Sequence, residues 1–523
     1  MASLPDDLVR DLFDVLSVVD PPRGPSTGRS LGWISATHVC QRWRAISISL
    51  PKLWASVVCT FPPDATVLER AQDAPLTIDL DMGGRRFWDE TSISLIIART
   101  QAIKDVEDVH REDSKGVDWR TILDGRRLPV LLEFNVRTVG YDHIKFTWRG
   151  SLEAPALRTC AFNLYLPLQA PSLRFLSISG YEWNVARLLS VLMNCSALSQ
   201  LKVHGVWSEE GEEFTDDGDI SSIINSDQLC ELPNLQTLHV NIFDDLCVNA
   251  LNHIQFPNHV GLRVDDTWRL DVWDYAFSRL HTHSLHGNLS IICTTATETN
   301  PFHPDNGPTV HRLTFTGDPS LYTRAIDILH GVLVLSKRSG RGGSNLHELL
   351  DRVPSSRASA IQTLDFDYIA NNRFHREELR LDDIPALAVS LQRFHNVATL
   401  RVGDAGIDLL AFLASEDHVL FPDLHTLIVH PDKNMLDRER WSALRKMLIT
   451  RRHPLPRLII RGSMLCHTTE WQRPGHDHSW KQILDDCYIS LEEEKLLVDE
   501  LLDEREGIEN LPYCRCWAKI CGY

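Results

Sequence analysis

The chain has 523 residues, 53 Lys and Arg against 71 Asp and Glu, a formal net charge of −18, and 43% hydrophobic residues. This is the balance of a folded protein too long for one small core, so two or more units or an extended array are expected. The acidic excess repels nucleic acid and anionic lipid, and neither is an expected partner.

The chain starts with helical signals. Pro5 suits a first helical position, where its missing N–H costs nothing, and Asp6 and Asp7 then fall in the positively polarised first turn. Leu8, Leu12, Val15 and Leu16 follow at i, i+4, i+7 and i+8, the stripe of an amphipathic helix. Pro21, Pro22, Gly24, Pro25 and Gly28 end it in a loop. A second stripe runs through Ala36, Val39, Trp43 and Ile46, and a third start signal is Leu50-Pro51-Lys52-Leu53-Trp54. The prediction is two or three short helices presenting Leu4, Pro5, Trp43 and Trp54, with more apolar surface than so small a module buries alone.

The order Leu4-Pro5, loop, Val39-Cys40-x-x-Trp43-Arg44, Leu50-Pro51-x-Leu53-Trp54 resembles the F-box in its fungal F-box-like form, over Leu4 to Val57. The segment Ala74-Pro75-Leu76-Thr77-Ile78-Asp79-Leu80 is similar to what often follows in that family. The resemblance implies a docking surface for a Skp-type adaptor, and through it a cullin ubiquitin ligase, with Leu4, Pro5, Leu8, Leu12, Val39, Trp43 and Trp54 as adaptor-binding residues. The plainer alternative is a helical hairpin that caps the next domain.

From about Leu131 a short pattern recurs: apolar, two variable residues, Leu, one variable residue, apolar. Copies are Leu173-x-x-Leu176-x-Ile178, Leu198-x-x-Leu201-x-Val203, Leu235-x-x-Leu238-x-Val240, Val310-x-x-Leu313-x-Phe315, Ile361-x-x-Leu364-x-Phe366, Val397-x-x-Leu400-x-Val402, Leu424-x-x-Leu427-x-Val429 and Leu455-x-x-Leu458-x-Ile460. His259-x-x-Leu262-x-Val264 and His286-x-x-Leu289-x-Ile291 keep the register between Leu235 and Val310, in steps of 24, 27 and 24 residues. This spacing resembles irregular leucine-rich repeats, although the Asn that often closes the family motif is missing from most copies. Helices are predicted between copies at Val185 to Met193, Tyr322 to Leu335 and Trp441 to Thr450. Surface excursions are predicted at Ser208 to Asp219, Thr294 to Thr309 and Ser336 to Asn345. A last helix over Leu491 to Glu509 would cap the array or bind a partner.

The expected fold class is therefore α/β: a small all-helical F-box-like domain (1–57), a connecting region (58–125), an irregular leucine-rich-repeat-like solenoid (126–465), and a C-terminal helical cap with a Cys-containing tail (466–523). Exposed positions of the repeat strands, among them Ser177, Thr314, Asp365 and Ile428, would share one concave face. On it Lys202, His239, Arg263 and Arg401 form a candidate target-binding strip suited to an acidic or phosphorylated segment. The bland alternative is ordinary solvated charge.

Chemistry-bearing motifs are scarce. Gly28-Arg29-Ser30-Leu31-Gly32 spells a nucleophile elbow, but a Pro-rich loop precedes it where that chemistry needs a strand. Cys466, His467, His476, His478, Cys514, Cys516 and Cys521 are ligand types without the paired spacing of a zinc site. No H-E-x-x-H and no Walker-type loop occurs. The expectation is no catalysis, no metal and no cofactor. The start lacks a basic stretch followed by an apolar run, no stretch of about 18 apolar residues occurs, and 12 cysteines are spread singly. These features point to an intracellular protein, cytoplasmic or nuclear. Two functions are compatible with all of this: the substrate-recognition subunit of a Skp–cullin–F-box ligase, holding an unknown target protein, or a non-ligase interaction scaffold.

Overall fold

The computed structural model describes residues 4–24, 30–81, 87–106, 117–137, 146–180, 183, 185–205, 229–242, 252–257, 260–265, 288–295, 309–316, 333–339, 346–368, 384–402, 420–429, 438–451, 454–463 and 494–506. The chain divides into two compact units, Met1–Val260 and Gly261–Tyr523.

The first unit opens with helices α1 (Asp6–Val19), α2 (Gln41–Ile48), α3 (Pro51–Ala55) and α4 (Ala65–Ala71), with a 3-10 turn at Gly32–His38. Pro5 occupies the N-cap rather than the first helical position, its carbonyl accepting from the Val9 N–H at 3.1 Å. Val9 and Phe13, at i and i+4, are the buried residues of α1. Phe13 meets Trp33 and Trp43 edge-on at 6.2 and 6.1 Å between ring centroids, and Trp33 meets Trp54 at 5.2 Å. Gly32 is required where this turn closes. Its φ is +51°, and a Cβ there would lie 2.4 Å from the Asp20 carbonyl oxygen.

Strand β1 (Leu76–Asp79) follows at once, then α5 (Glu90–Ile96), β2 (Thr100–Val106), α6 (Trp119–Leu123), β3 (Glu133–Arg137), β4 (Leu152–Glu153), β5 (Thr159–Phe162), β6 (Leu168–Gln169), β7 (Phe175–Ile178), α7 (Val185–Leu192), β8 (Gln200–Gly205), β9 (Cys230–Glu231), β10 (Thr237–Ile242) and β11 (Ile254–Gln255). Strands β1, β2, β3, β5, β7, β8 and β10 pair in that order, each parallel to the next. The register puts Ile78, Ile103, Phe134, Cys160, Leu176, Leu201 and Leu238 in one buried row across them. Each buried leucine of this kind contributes roughly 2 kcal/mol by removal from water. Phe134, Phe162 and Trp183 continue the core as an aromatic chain, with Trp119 at its start. The indole N–H of Trp119 donates to the buried Asp105 carboxylate at 2.7 Å.

In the second unit, β12 (Gly261–Asp265), β13 (Asn288–Thr295), β14 (Thr309–Thr316), β15 (Leu333–Ser339), β16 (Thr363–Tyr368), β17 (Thr399–Val402), β18 (Thr426–Val429), β19 (Leu455–Ser463) and β20 (Val498–Glu506) lie in the order β12-β15-β14-β13-β16-β17-β18-β19-β20. Strand β14 runs antiparallel to both β13 and β15. From β16 onward the pairs are parallel, and Leu364, Leu400, Leu427 and Leu458 form a buried row. Helices Leu346–Arg352, Ser355–Ala358, Ile384–Leu391 and Arg438–Thr450 accompany these strands.

These observations correct the expected fold class. The chain is α/β, with a large, mostly parallel sheet and interspersed helices. It is not a separate all-helical module followed by a leucine-rich-repeat-like solenoid. The N-terminal helices run directly into strand, and residues 58–125, expected as a connection, contain β1 and β2 of the same ladder as β3. In the second unit the strands leave chain order where β14 reverses direction, so no uniform repeat extends through it. The helical cap is also corrected: residues 498–506 form β20, parallel to β19. A lone helix of that length is marginal, whereas β19 offers an unpaired edge and two arginines placed for Glu500 and Glu504. Of the predicted helix Tyr322 to Leu335, the last three residues lie in β15 and the rest lie outside the described residues, while helices do form at Val185–Leu192 and Arg438–Thr450. The excursion Ser208 to Asp219 lies outside the described residues. So do Gly28, Cys466, His467, His476, His478, Cys514, Cys516 and Cys521.

Candidate functional site

Two surfaces gather the residues singled out by the sequence. The first lies on α1 and α2. Arg42 donates from Nε to Asp6 Oδ1 at 2.8 Å, pinning the start of α2 to the start of α1. Leu4, Leu8 and Val39, which flank this pair in sequence, are exposed by 46%, 51% and 65%. Pro5 is exposed as well. Leu8, Val15 and Val19 share one side of α1 at i, i+7 and i+11, and all three are exposed. Helix α1 is therefore apolar over a wider arc than the protein covers. The predicted inward stripe Leu8, Leu12, Val15, Leu16 is rotated: Val9 and Phe13 face in, Leu12 and Leu16 are half-buried, and Leu8 and Val15 face out.

The other expected adaptor-binding residues fall elsewhere. Trp54 is buried, its indole N–H donating to the Ser47 carbonyl at 2.9 Å while the Arg70 guanidinium lies 4.4 Å above its ring. Trp43 is half-buried against Phe13. Both tryptophans build the module rather than face outward, because their large rings are what a small helical cluster has available to fill its core. Ser30 sits in a loop, paired by backbone with Arg23, and its hydroxyl accepts from the Gly32 N–H at 3.1 Å. Among the described residues before it there is no strand, so nothing there builds the strand-to-helix turn that a nucleophile elbow needs.

The second surface is the face of the sheet away from the buried leucine row. In the first unit Ser177, Lys202 and His239 are successive Cα partners on β7, β8 and β10. Ser177 and His239 are buried and Lys202 is half-buried. His204, two residues past Lys202 on the same face, meets His239 edge-on with 4.7 Å between ring centroids. The sequence reading missed His204, although its period-2 spacing from Lys202 was available. The Lys202 ammonium stands 5.5 Å above the Phe175 ring.

The remaining two strip residues belong to the second unit. Arg263 is on β12, half-buried, with Val334 as its Cα partner. Arg401 pairs with Asp365 on the neighbouring strand at 3.4 Å, and the Asp365 side chain is only 3% exposed. The expected four-residue basic strip is thus reduced. Lys202 and His239 adjoin, whereas the charge of Arg401 is met by a buried carboxylate.

Among the described residues, no group of three or more His, Cys, Asp or Glu is arranged to hold a metal ion. Burial pushes the thiols of Cys59 and Cys160 up, and those of Cys195 and Cys230 up to about 12 and about 11, so all four are inert neutral packing groups at neutral pH. Cys40 is exposed, its sulfur accepting from the Trp43 N–H at the N-cap of α2. Among the described residues, no helix is long and apolar enough to cross a membrane. No family model matches the chain, and no curated protein matches it.

Proposed function

We propose that the chain is the substrate-recognition subunit of a Skp–cullin–F-box type ubiquitin ligase, acting inside the cell in the cytoplasm or nucleus. The F-box-like resemblance of Leu4 to Val57 supplies the prior. The observation that carries the reading is the uncovered apolar face of α1 with Leu4, Pro5 and Val39 beside it, set on a cluster whose other face is fully packed. Scattered exposed leucines are ordinary, but an apolar arc continuing past the buried stripe of one helix suits a partner helix. A Skp-type adaptor is that partner in this reading, with the cullin ligase behind it.

The sheet domain would then hold a target protein near a charged E2. The mechanism is proximity: the effective concentration of target lysines rises, and this chain donates no proton and forms no covalent bond. The acidic balance of the chain favours a protein partner over nucleic acid or membrane. Two measurements test the reading. Co-expression with a Skp-type adaptor should give a complex that co-purifies through size exclusion, and loss of this chain should lengthen the half-life of captured proteins. Capture without any change in turnover would leave a scaffold, and failure to bind the adaptor would remove the ligase reading.

A further inference from the structure

We infer that the outer edge of β20 takes up an added strand from a partner protein, an extended segment in which apolar residues are flanked on both sides by basic ones. Strand β20 is nine residues long and ends the strand order of the second unit, with β19 as its neighbour. Among the described residues no strand lies on its far side. Such an edge presents a row of backbone N–H and C=O groups that another chain can pair with.

The apolar rows of the sheet run out to this edge and stop there partly uncovered. Leu458 and Ile459 on β19 are 0% and 5% exposed, whereas their Cα partners Leu501 and Leu502 are only half-buried. A further strand beside β20 would cover both leucines, one on each face of the sheet.

The charge pattern selects the occupant. Side chains alternate, so Asp499, Leu501 and Asp503 share one face and Glu500, Leu502 and Glu504 the other. Each face reads acid, leucine, acid, and all four acidic residues are exposed. The complement is already present inside the chain. Strand β19 sets Arg457, Ile459 and Arg461 in register against Glu500, Leu502 and Glu504, with ion pairs at 3.0 and 2.6 Å. An incoming strand meets the same residues from the other side, and a carboxylate has acceptor sites for more than one donor. A second copy of β20 does not fit: antiparallel pairing centred between Leu501 and Leu502 would set Asp499 against Glu504 and Glu500 against Asp503, and like charges directly opposite are destabilising.

The test titrates the full chain with the peptide Thr-Lys-Lys-Val-Val-Lys-Lys-Thr, with its Glu-for-Lys counterpart, and with the basic peptide N-methylated at alternate backbone amides. Binding is read by fluorescence anisotropy and its place by hydrogen exchange. The basic peptide should bind saturably, more weakly as salt is raised, and should slow exchange of alternate amides within residues 499–504. The acidic peptide should not bind, and N-methylation should weaken binding about tenfold by removing the edge hydrogen bonds. Asp499→Lys reverses an exposed charge and should weaken binding about fivefold with an unchanged unfolding midpoint. No saturable binding by wild type would show that the acids only guard the edge against association, and would overturn the inference. Equal binding by the acidic or the N-methylated peptide, or exchange protection confined to other strands, would overturn it too. Adaptor binding by Asp499→Lys should be unchanged, which separates failure of this edge from failure of the ligase reading.

Discussion

The two units answer the same sequence pattern in different ways. In the first, every copy of the Leu-x-Val element lies in chain order and parallel, ending at Leu238 on β10. In the second, the copy centred on Leu313 lies on a strand that runs against both neighbours. Yet Leu313 is as fully buried as Leu238. The pattern specifies which face of a strand is buried, because side chains alternate with period 2, and it is blind to strand direction, because the alternation reads the same either way. Parallel order has to come from the segments that connect the strands.

The exposed faces differ too. Lys202 in the first unit meets an aromatic ring, whereas Arg401 in the second meets Asp365. Equal exposure in sequence terms therefore conceals one charge available to a partner and one already answered inside the protein.

The largest expected effect tests the burial half of this comparison. Leu238→Ala and Leu313→Ala should each cost about 3 kcal/mol in chemical denaturation, since both remove a fully buried side chain. A mild Leu313→Ala, below about 1 kcal/mol, would mean that the reversed strand is not part of a packed core. Next comes the contrast in charge. Asp365→Asn should destabilise by about 1–3 kcal/mol, because it leaves the half-buried Arg401 guanidinium without its carboxylate. Lys202→Met should stay within about 0.5 kcal/mol. Comparable costs for the two would erase the distinction between an answered and an unanswered charge. The smallest stability effect belongs to the edge of the second unit. Arg457 and Glu500 pair at 3.0 Å and Arg461 and Glu504 at 2.6 Å, all substantially exposed, so Arg457→Ala or Arg461→Ala should cost under about 1 kcal/mol. A larger loss at low salt that vanishes at high salt would show these pairs hold β20 in place.

The legible part of the fold was local burial. Leu176, Leu201, Leu364, Leu400 and Leu427 are all buried at the positions read from the repeat, and the helix at Val185–Leu192 follows its apolar spacing. Illegible were the features decided by a neighbour. Residues 498–506 carry a helix-like spacing of leucines and acids, but the free edge of β19 and its arginines recruit them as a strand. On α1, two candidate stripes coexist, and only the positions of Trp33 and Trp43 decide that Phe13 faces in and Leu8 out. Trp54 was legible as important and misread as outward, since an aromatic residue at a motif position looks the same whether it packs or binds. The Lys202–His239 adjacency and the Asp365–Arg401 pair both follow from the repeat register, which puts each couple at equivalent positions of neighbouring strands.

The central claim is that the uncovered apolar face of the N-terminal helices docks an adaptor, and calorimetric titration of a Skp-type adaptor into the full chain tests it most directly. Changing Leu4 and Pro5 together to Ala removes exposed apolar area and the rigid start of α1 without touching the buried Val9, Phe13 and Trp54. The account predicts a loss above about 2 kcal/mol, roughly thirtyfold or more in Kd, with the far-UV helical signal unchanged. An unchanged Kd in the double variant with helicity intact, or no binding by the wild-type chain, would contradict it.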